Sequence, residues 1–298
     1  SRQLLRERLA GTRLLLREAD GARPLEEQVG EAEALVPSMA RITRSVMEAA
    51  PRLKLIAQFG AGLEGVDLMA ARERGVAVHN VAGANAQAVA ELAVFLMLAL
   101  ARKLPQHARS FASRVVGDPP GSELSGKTLG IVGLGATGRA LARVARGFGM
   151  DVIAVRRSAA AADADVSWLG GTGDLDALLA RADYVSLHAP LTDGTRGLID
   201  ARRLGLMKPS AFLVNVGRGA LIDREALLAA LRDRRIAGAG LDVYWEEPPD
   251  PAHPLFALDN VVATPHLGGV TDEALARIAD RLVATLTEFL DPEASPPA

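Results

Sequence analysis

Short apolar runs alternate with amphipathic segments along the first third of the chain. Runs of apolar and β-branched residues between turn residues are typical of strands, and apolar positions spaced three and four apart are typical of helices. The pattern predicts helices at residues 2–9, 25–33, 44–50 and 67–74 and strands at residues 12–18, 34–36, 54–59 and 76–80. This alternation predicts βαβ units and a parallel sheet.

A second α/β series begins after residue 126. Its helices are predicted at residues 139–147, 175–182, 201–206 and 224–232, and its strands at residues 128–132, 152–156, 184–188, 211–216, 238–243 and 261–264. Six strands joined by helices match a complete doubly wound dinucleotide-binding domain. A last helix, at residues 273–290, is expected to return to the first domain.

The segment between the two series contains the longest helical stretch, residues 85–104, which is apolar almost all round and therefore predicted to be buried between domains or subunits. The polar stretch after it, up to residue 125, is either a crossing between domains or an arm that reaches a second subunit. We expect one domain at residues 1–100 and 271–298 and the other at residues 101–270. Since α/β domains usually open with a strand, we expect that a first strand preceding Ser1 is missing.

A glycine-rich turn follows the apolar run at residues 129–132 and precedes a helical segment. In this order of strand, turn and helix, the motif G-x-G-x-x-G is typical of dinucleotide-binding sites. Gly133 permits a sharp turn, Gly135 permits close approach to a pyrophosphate, and Gly138 permits close helix–strand packing. Ala136 and Thr137 would offer helix N-terminal N–H groups to the phosphates. A glycine turn without a ligand is the alternative; the context favours a dinucleotide site.

The next strand ends in Arg156, Arg157 and Ser158, where an NAD site usually has Asp or Glu for the ribose hydroxyls. Two guanidiniums and a hydroxyl would instead bind a 2′-phosphate. A solvated basic strand end is the alternative. The residues favour NADP(H) and leave NAD(H) possible.

Polar residues follow the carboxyl ends of the later strands, where parallel sheets bind ligands. Arg218, between two glycines, has a fork that suits a carboxylate, although a surface arginine is the alternative. Glu247 beside His266 would keep the imidazole protonated, as a general acid requires. Together, opposite a nucleotide, these three residues indicate carbonyl reduction. At the end of an early strand, the triplet 60–62 is either a second ligand loop or a plain tight turn.

Composition excludes several classes of function. The chain has 298 residues, 49% of them hydrophobic and 23% charged, and its net charge of −2 indicates neither a nucleic acid nor an anionic membrane as partner. It has no cysteine, which excludes disulfides and thiolate chemistry. The longest apolar run, residues 92–101, is shorter than the roughly 20 residues of a membrane span. With no visible signal peptide and no metal-ligand cluster, we expect a soluble cytoplasmic protein without a metal.

The motifs together resemble the D-isomer-specific 2-hydroxyacid dehydrogenases over nearly the whole chain. The resemblance is carried by QFGAGLEGVD (58–67), AGANAQAVAE (82–91), GLGATG (133–138), SLHAPLTDGT (186–195), VNVGRGALID (214–223), GLDVYWEEP (240–248) and TPHLGG (264–269). It implies a discontinuous, flavodoxin-like substrate domain into which a doubly wound NAD(P)-binding domain is inserted, both Rossmann-like, with a crevice between them. It also implies a homodimer that uses the long helix and the arm.

The resemblance also implies roles for individual residues. Arg218 would grip the carboxylate and carbonyl of a 2-keto acid, and His266, paired with Glu247 rather than Glu246, would donate the proton. The backbone of Ala61 and Gly62 would hold the substrate carboxylate. His188 follows a strand beside the proposed cofactor and would contact it, although a structural histidine is the alternative. The other cofactor contacts predicted beyond the glycine turn are Pro190, Thr195, Val216, Asp242 (to the nicotinamide carboxamide) and Gly268.

Three functions fit these residues. The leading one is an NADPH-preferring reductase of a small 2-keto acid such as glyoxylate or hydroxypyruvate. A D-3-phosphoglycerate-type dehydrogenase would want extra cationic groups near the substrate loop, where Glu64 lies instead. A non-catalytic, nucleotide-sensing protein like the corepressor relative of this family is the third.

Overall fold

The computed structural model describes residues 2–10, 12–157 and 163–290 and divides the chain into two compact units. The first unit comprises residues 1–85 and 270–298, and the second comprises residues 86–269. The first unit is thus discontinuous, with the second inserted in it.

The strands, numbered in chain order, are β1 (Ala34–Leu35), β2 (Leu55–Gln58), β3 (Ala77–Asn80), β4 (Thr128–Val132), β5 (Asp151–Val155), β6 (Trp168–Gly170), β7 (Tyr184–Leu187), β8 (Phe212–Asn215), β9 (Gly238–Leu241) and β10 (Val261–Ala263). The α-helices are α1 (Arg2–Leu9), α2 (Arg44–Glu48), α3 (Leu68–Glu73), α4 (Ala86–Ala101), α5 (Leu104–Ala112), α6 (Ala136–Gly147), α7 (Leu175–Arg181), α8 (Ala201–Leu204), α9 (Arg224–Arg232) and α10 (Asp272–Leu290). Short 3₁₀ helices are Leu25–Glu27, Thr172–Asp174, Gly219–Leu221 and Pro254–Ala257.

In the first unit, β1, β2 and β3 form a parallel sheet in that order. The strand β2 is buried along its whole length, and α10 packs on it and on α1. The last helix therefore returns to the first unit, as its position after the final strand predicted.

Two predictions in the first unit are wrong. Residues 12–18 form no strand: Leu14 and Leu16 pack on the apolar cluster beneath α1 and α10, whereas Leu15 is 98% exposed. The exposure of the side chains alternates along residues 12–17 as it would in a strand, but a strand also needs a neighbour with which to form a ladder, and no described strand pairs with this segment. The helix expected at residues 25–33 is one 3₁₀ turn, Leu25–Glu27.

The second unit is built on a seven-stranded parallel sheet in the order β10-β9-β8-β7-β4-β5-β6. From β4, the chain moves outward through β5 and β6, and then returns to the other side of β4 with β7. The doubly wound parallel α/β fold expected from the sequence is therefore confirmed. The point where the strand order reverses, between β4 and β7, is the place where such sheets bind ligands.

Both faces of this sheet are buried. Along β5, Val152 and Ala154 belong to the apolar cluster under α4 and α6, whereas Ile153 and Val155 belong to the cluster under α7 and α9. Because successive side chains of a strand point to opposite faces, a strand buried on both faces reads as a continuous apolar run.

The boundary between the domains was predicted to follow α4, but α4 belongs to the second unit. It packs on α6, β8 and β9, where Leu96 and Leu100 lie against the backbone of β9. The helix is also not buried on every side within this chain, because Gln87, Glu91 and Phe95 form an exposed stripe in which Gln87 donates to Glu91 over 2.9 Å. Helix α5 and strand β6 were not predicted: β6 has only three residues, and α5 lies in the polar stretch that was interpreted as a crossing or an arm.

Among the described residues, no helix is long and apolar enough to cross a membrane.

Candidate active site

The glycine turn lies at the reversal point of the sheet order, between β4 and α6. Gly133 has a positive φ of 105°, and a Cβ there would lie 2.6 Å from the backbone nitrogen of Ala189. Its N–H donates to the carbonyl of Val155, the last residue of β5, over 2.9 Å. The turn is therefore fixed against the ends of both neighbouring strands, in a conformation and a space that exclude other residues.

The start of α6 fits a diphosphate. A Cβ on Gly135, the N-cap residue, would meet no atom of the described residues within 4 Å, so the backbone is open to close approach at this point. A Cβ on Gly138 would instead overlap the Gly133 carbonyl oxygen. The N–H groups of the first turn, which contains Ala136 and Thr137, lack intrahelical acceptors and carry the positive end of the helix dipole.

Arg156 and Arg157 directly follow β5 and so lie at the same edge of the sheet as the glycine turn. The Arg156 N–H donates to Gly170 at the end of β6 over 3.1 Å, and Arg157 is exposed. Ser158, the third residue predicted to bind a 2′-phosphate, lies outside the described residues.

His188 follows β7 beside the glycine turn. Its Nε2 lies 2.8 Å from the hydroxyl of Ser186, and its Nδ1 is buried without a hydrogen-bond partner among the described residues. Burial lowers the pKa of His188 to about 4. The imidazole is therefore neutral at neutral pH, which suits a contact with a cofactor but not a role as an acid.

Thr195 closes its own loop. Its hydroxyl donates to the carbonyl of Pro190 over 2.7 Å and accepts the N–H of Thr192 over 2.8 Å. The motif that suggested cofactor contacts at Pro190 and Thr195 thus also has a structural use, because it shapes the turn that follows His188.

The next strand, β8, ends at Asn215 and is followed by Arg218. The backbone of Arg218 is extended, and its Nη1 donates to the carbonyl of Gly217 over 2.7 Å. Val216, predicted to contact the cofactor, has its side chain in the core. Asn215 is fully buried and makes hydrogen bonds to Gly217 and Arg218.

His266 and Glu247 form a close pair. The Nδ1 atom of His266 lies 2.7 Å from Oε2 of Glu247, and the other carboxylate oxygen accepts the N–H of Tyr244 over 3.1 Å. With one ring nitrogen engaged by the carboxylate, Nε2 is the nitrogen that can exchange a proton with a ligand. The pair is the arrangement that a general acid requires: an orienting anion behind an accessible imidazole.

A buried carboxylate holds the loop that carries His266. Asp242 is 1% exposed and accepts the Thr264 hydroxyl and the N–H groups of Leu267 and Gly268 at 2.7, 2.7 and 2.8 Å. His266 itself has a φ of 54°, a left-handed conformation uncommon outside glycine. Asp242 and Gly268, both predicted to touch the cofactor, therefore bind each other.

Tyr244 had no role predicted from the sequence. Its hydroxyl donates to the carbonyl of Thr264 over 2.7 Å, and its ring packs edge-on against Phe256. Burial, with help from the nearby carboxylates of Asp242 and Glu247, raises the pKa of Tyr244 to about 12, so that it remains a donor. Nothing in the sequence around Tyr244 indicates that its hydroxyl binds the carbonyl of Thr264, two residues before His266.

Close packing brings the Arg218 and Glu247 segments together. A Cβ on Gly219 would lie 2.5 Å from the nitrogen of Trp245 and would overlap the Tyr244 carbonyl group. Because β8, β9 and β10 are neighbours in a parallel sheet, Arg218, Glu247 and His266 all follow carboxyl ends at one edge. The strand order therefore agrees with one edge of the sheet for all three residues, and their meeting at a substrate remains a prediction.

The triplet 60–62 belongs to the first unit and follows β2. Gly60 has a φ of 141°, and its carbonyl accepts the Val81 N–H over 3.1 Å. The carbonyl of Ala61 accepts Nδ2 of Asn80, at the end of β3, over 2.7 Å. Ala61 and Gly62 therefore form a braced loop at the carboxyl edge of this sheet, and Asn80 is a support that was not predicted from the sequence.

The family profile that matches this chain covers most of the second unit. Residues 94–268 match the family profile described as D-isomer specific 2-hydroxyacid dehydrogenase, NAD binding domain. A glyoxylate reductase of Thermococcus litoralis is 40% identical over 91% of this chain and 85% of its own length. A hydroxypyruvate reductase of Thermotoga maritima is 41% identical over 86% of this chain and 84% of its own length.

A third relative has another substrate in its name. The D-3-phosphoglycerate dehydrogenase of Methanocaldococcus jannaschii is 42% identical over 84% of this chain, which spans only 48% of that longer protein. The profile covers more than half of the chain, and relatives at this level of identity extend over most of it. The chain therefore belongs to the D-isomer-specific 2-hydroxyacid dehydrogenase family, whose members are NAD(P)-dependent oxidoreductases acting on the CH–OH group of 2-hydroxy acids.

Proposed function

We propose that the protein reduces a small 2-keto acid, such as glyoxylate or hydroxypyruvate, with NADPH as the preferred cofactor and NADH as a possible one. The pairing of His266 Nδ1 with Glu247 over 2.7 Å carries this proposal. An orienting carboxylate behind an accessible imidazole is what protonation of a carbonyl oxygen requires.

Each member of the triad has one task in this proposal. Arg218 binds the substrate carboxylate and the carbonyl oxygen with its planar fork, which holds the carbonyl carbon in one orientation. His266 donates the proton from Nε2 to the carbonyl oxygen, and Glu247 stabilises the imidazolium before that transfer. The reduced nicotinamide, when bound, supplies the hydride.

The preference for NADPH rests on the basic end of β5. Arg156 and Arg157 replace the acidic residue that would accept the ribose hydroxyls and repel a 2′-phosphate. Guanidiniums bind phosphate through charge-assisted hydrogen bonds. In this proposal Gly133, Gly135 and the first turn of α6 bind the diphosphate. The remainder of the cofactor contacts the other predicted residues, which are His188, Pro190, Thr195, Val216, Asp242 and Gly268.

We assign the substrate loop, Ala61 and Gly62, to the substrate carboxylate, and the first unit to the role of substrate domain. A D-3-phosphoglycerate-type activity is the second candidate, because one relative has that name. Glu64, two residues after Gly62 and exposed, opposes it, since its carboxylate repels a phosphate.

We further infer a homodimer that uses the long helix, α4, and the arm after it. In this segment Phe95, Phe111 and Val116 are 46%, 87% and 95% exposed, and exposed apolar surface is typical of interaction sites. We place the protein in the cytoplasm, a compartment that suits a chain without cysteines.

One assay tests the proposal: the absorbance of reduced nicotinamide is followed with glyoxylate, hydroxypyruvate, pyruvate and phosphohydroxypyruvate, each with NADPH and with NADH. We expect turnover of the first two acids and a higher kcat/KM with NADPH. Faster turnover of the phosphorylated acid would favour the second candidate. Nucleotide binding without turnover of any acid would favour the non-catalytic, corepressor-like alternative and contradict the proposal.

A further inference from the structure

Asn215 is a fully buried polar residue at the end of β8. Its Nδ2 donates to the carbonyl of Arg218 over 2.9 Å, and its Oδ1 accepts the N–H of Gly217 over 3.1 Å. Buried polar groups need such partners, because an unpaired one destabilises the folded state. One side chain therefore closes both ends of the turn that carries Arg218.

The two hydrogen bonds require an amide. The acceptor half is an Asx-type turn, in which a side-chain oxygen accepts the N–H two residues later. The second bond runs from Nδ2 of Asn215 to the carbonyl of Arg218, one residue further along the chain. An aspartate at this position would have no N–H group to donate to that carbonyl. The Arg218 backbone is held at φ −144° and ψ 141°, which sets the direction in which its side chain leaves the chain.

The residues on both sides of Arg218 are tightly packed as well. A Cβ on Gly217 would lie 3.0 Å from the Leu221 side chain and 3.2 Å from the Leu187 carbonyl oxygen. Gly219 lies against the backbone of Trp245. The turn thus has packing on its flanks and the Asn215 amide at its base, an arrangement that favours a single conformation.

We propose that Asn215 is a positioning residue for Arg218: its amide fixes the 216–218 turn so that the guanidinium presents its fork in one orientation. The inference rests on the proposed function for what Arg218 grips, a substrate carboxylate. Asn215 acts through Arg218 and does not touch the substrate itself.

A double-mutant cycle tests this role. Asn215→Ala is expected to lower kcat/KM for the 2-keto acid by about 10²-fold, the typical effect of displacing a binding group by about 1 Å. In the Arg218→Ala background, the same change is expected to have less than a roughly 2-fold effect, because the group being positioned is gone. Equal losses in both backgrounds would overturn the proposal. If Asn215→Ala does not fold, Asn215→Ser, which keeps a small acceptor, takes its place in the cycle.

Asn260 provides a matched control. It is also a buried asparagine of the second unit, and its Nδ2 donates to the carbonyls of Leu231 and Ala237, each over 3.2 Å. It precedes β10 and so lies at the opposite edge of the sheet from Arg218. Asn260→Ala is expected to lower the melting temperature and leave kcat/KM within about 2-fold of the parent. A loss of kcat/KM as large as that of Asn215→Ala would contradict a specific role for Asn215.

Parent turnover in the same assay separates the two proposals. If the parent reduces no 2-keto acid, the proposed function is wrong, and crystal structures of the parent and Asn215→Ala still decide the positioning role. We expect the Arg218 backbone to leave its extended conformation in that variant. An unchanged backbone and guanidinium would overturn the inference.

Discussion

The backbone N–H of Asp242 donates to the backbone carbonyl of Asn215 over 3.0 Å, where β8 and β9 end side by side. The Asn215 side chain holds the Arg218 turn, and the Asp242 carboxylate holds the His266 loop. Asn215 and Asp242, joined by one backbone hydrogen bond, thus hold the loops of Arg218, the proposed carboxylate-binding residue, and of His266, the proposed acid. The two loops are built on a common base rather than positioned independently.

Asp242→Asn should destabilise the protein by roughly 1–3 kcal/mol, because the new amide nitrogen would face a donor where a carboxylate oxygen now accepts one. Urea unfolding of parent and variant measures the change. Asp223→Asn is the control: Asp223 is the N-cap of α9, accepts the Ala226 N–H over 2.9 Å, and occupies a position where asparagine caps equally well. Equal stability of Asp242→Asn and the parent would contradict the role of Asp242 in the loop.

His266→Ala should lower kcat for the 2-keto acid by about 10²–10⁴-fold, the usual contribution of a general acid. Glu247→Gln should cause a smaller loss, because the imidazole keeps a neutral hydrogen-bond acceptor but loses its anion. Steady-state kinetics at saturating cofactor measure both. His253→Ala, which removes an imidazole that accepts the Leu255 N–H in the same unit, is expected to retain activity. Near-parent turnover by His266→Ala would remove its assignment as the acid.

The parts of the fold that could be predicted from the sequence are those with a strong local signal. Strand β4, the glycine turn and α6 were recognisable because an apolar run followed by glycines at this spacing and then a helix is rare outside nucleotide-binding turns. The segment 12–18 also contains a short apolar run, but no described strand lies beside it, and strand pairing depends on the fold rather than on local sequence. Strand β6, with three residues, is too short to establish a period.

The same distinction holds in the candidate site. The sequence indicated Arg218, Glu247 and His266, since charged residues after apolar strands stand out. Asn215 and Tyr244 had no predicted role, although both hold the loops of that triad, because their partners are backbone atoms. Every residue has a backbone carbonyl, so the sequence does not indicate which one a side chain will bind. The one available signal for Asn215 was an amide that ends a buried apolar strand.

Changing Arg156 and Arg157 together to Gln should weaken the binding of NADPH much more than that of NADH, because only NADPH has a 2′-phosphate to lose its cationic partners. Fluorescence titration of the two cofactors measures both dissociation constants. Arg181→Gln, at the end of α7 with its guanidinium over the Trp168 ring, is the control for the loss of a positive charge in the same unit. Equal weakening of NADH and NADPH would contradict a phosphate-binding pair.

His188 should make the stability of the protein depend on pH. Its folded-state pKa of about 4 lies below the ordinary value of 6.5, so the unfolded chain binds more protons between these values. The contribution of His188 is therefore fully present above about pH 6.5 and is lost as the pH falls toward 4. Between pH 7.5 and pH 5 the parent should lose about 2 kcal/mol through this residue.

Urea unfolding of the parent and of His188→Gln at these two pH values measures the effect. Glutamine keeps a polar side chain near the Ser186 hydroxyl but does not titrate, so the variant should lose less free energy of unfolding on acidification than the parent does. The comparison cancels the contributions of the carboxylates, which are the same in both proteins. An identical loss in parent and variant would show that His188 is protonated as readily in the folded chain as in the unfolded one.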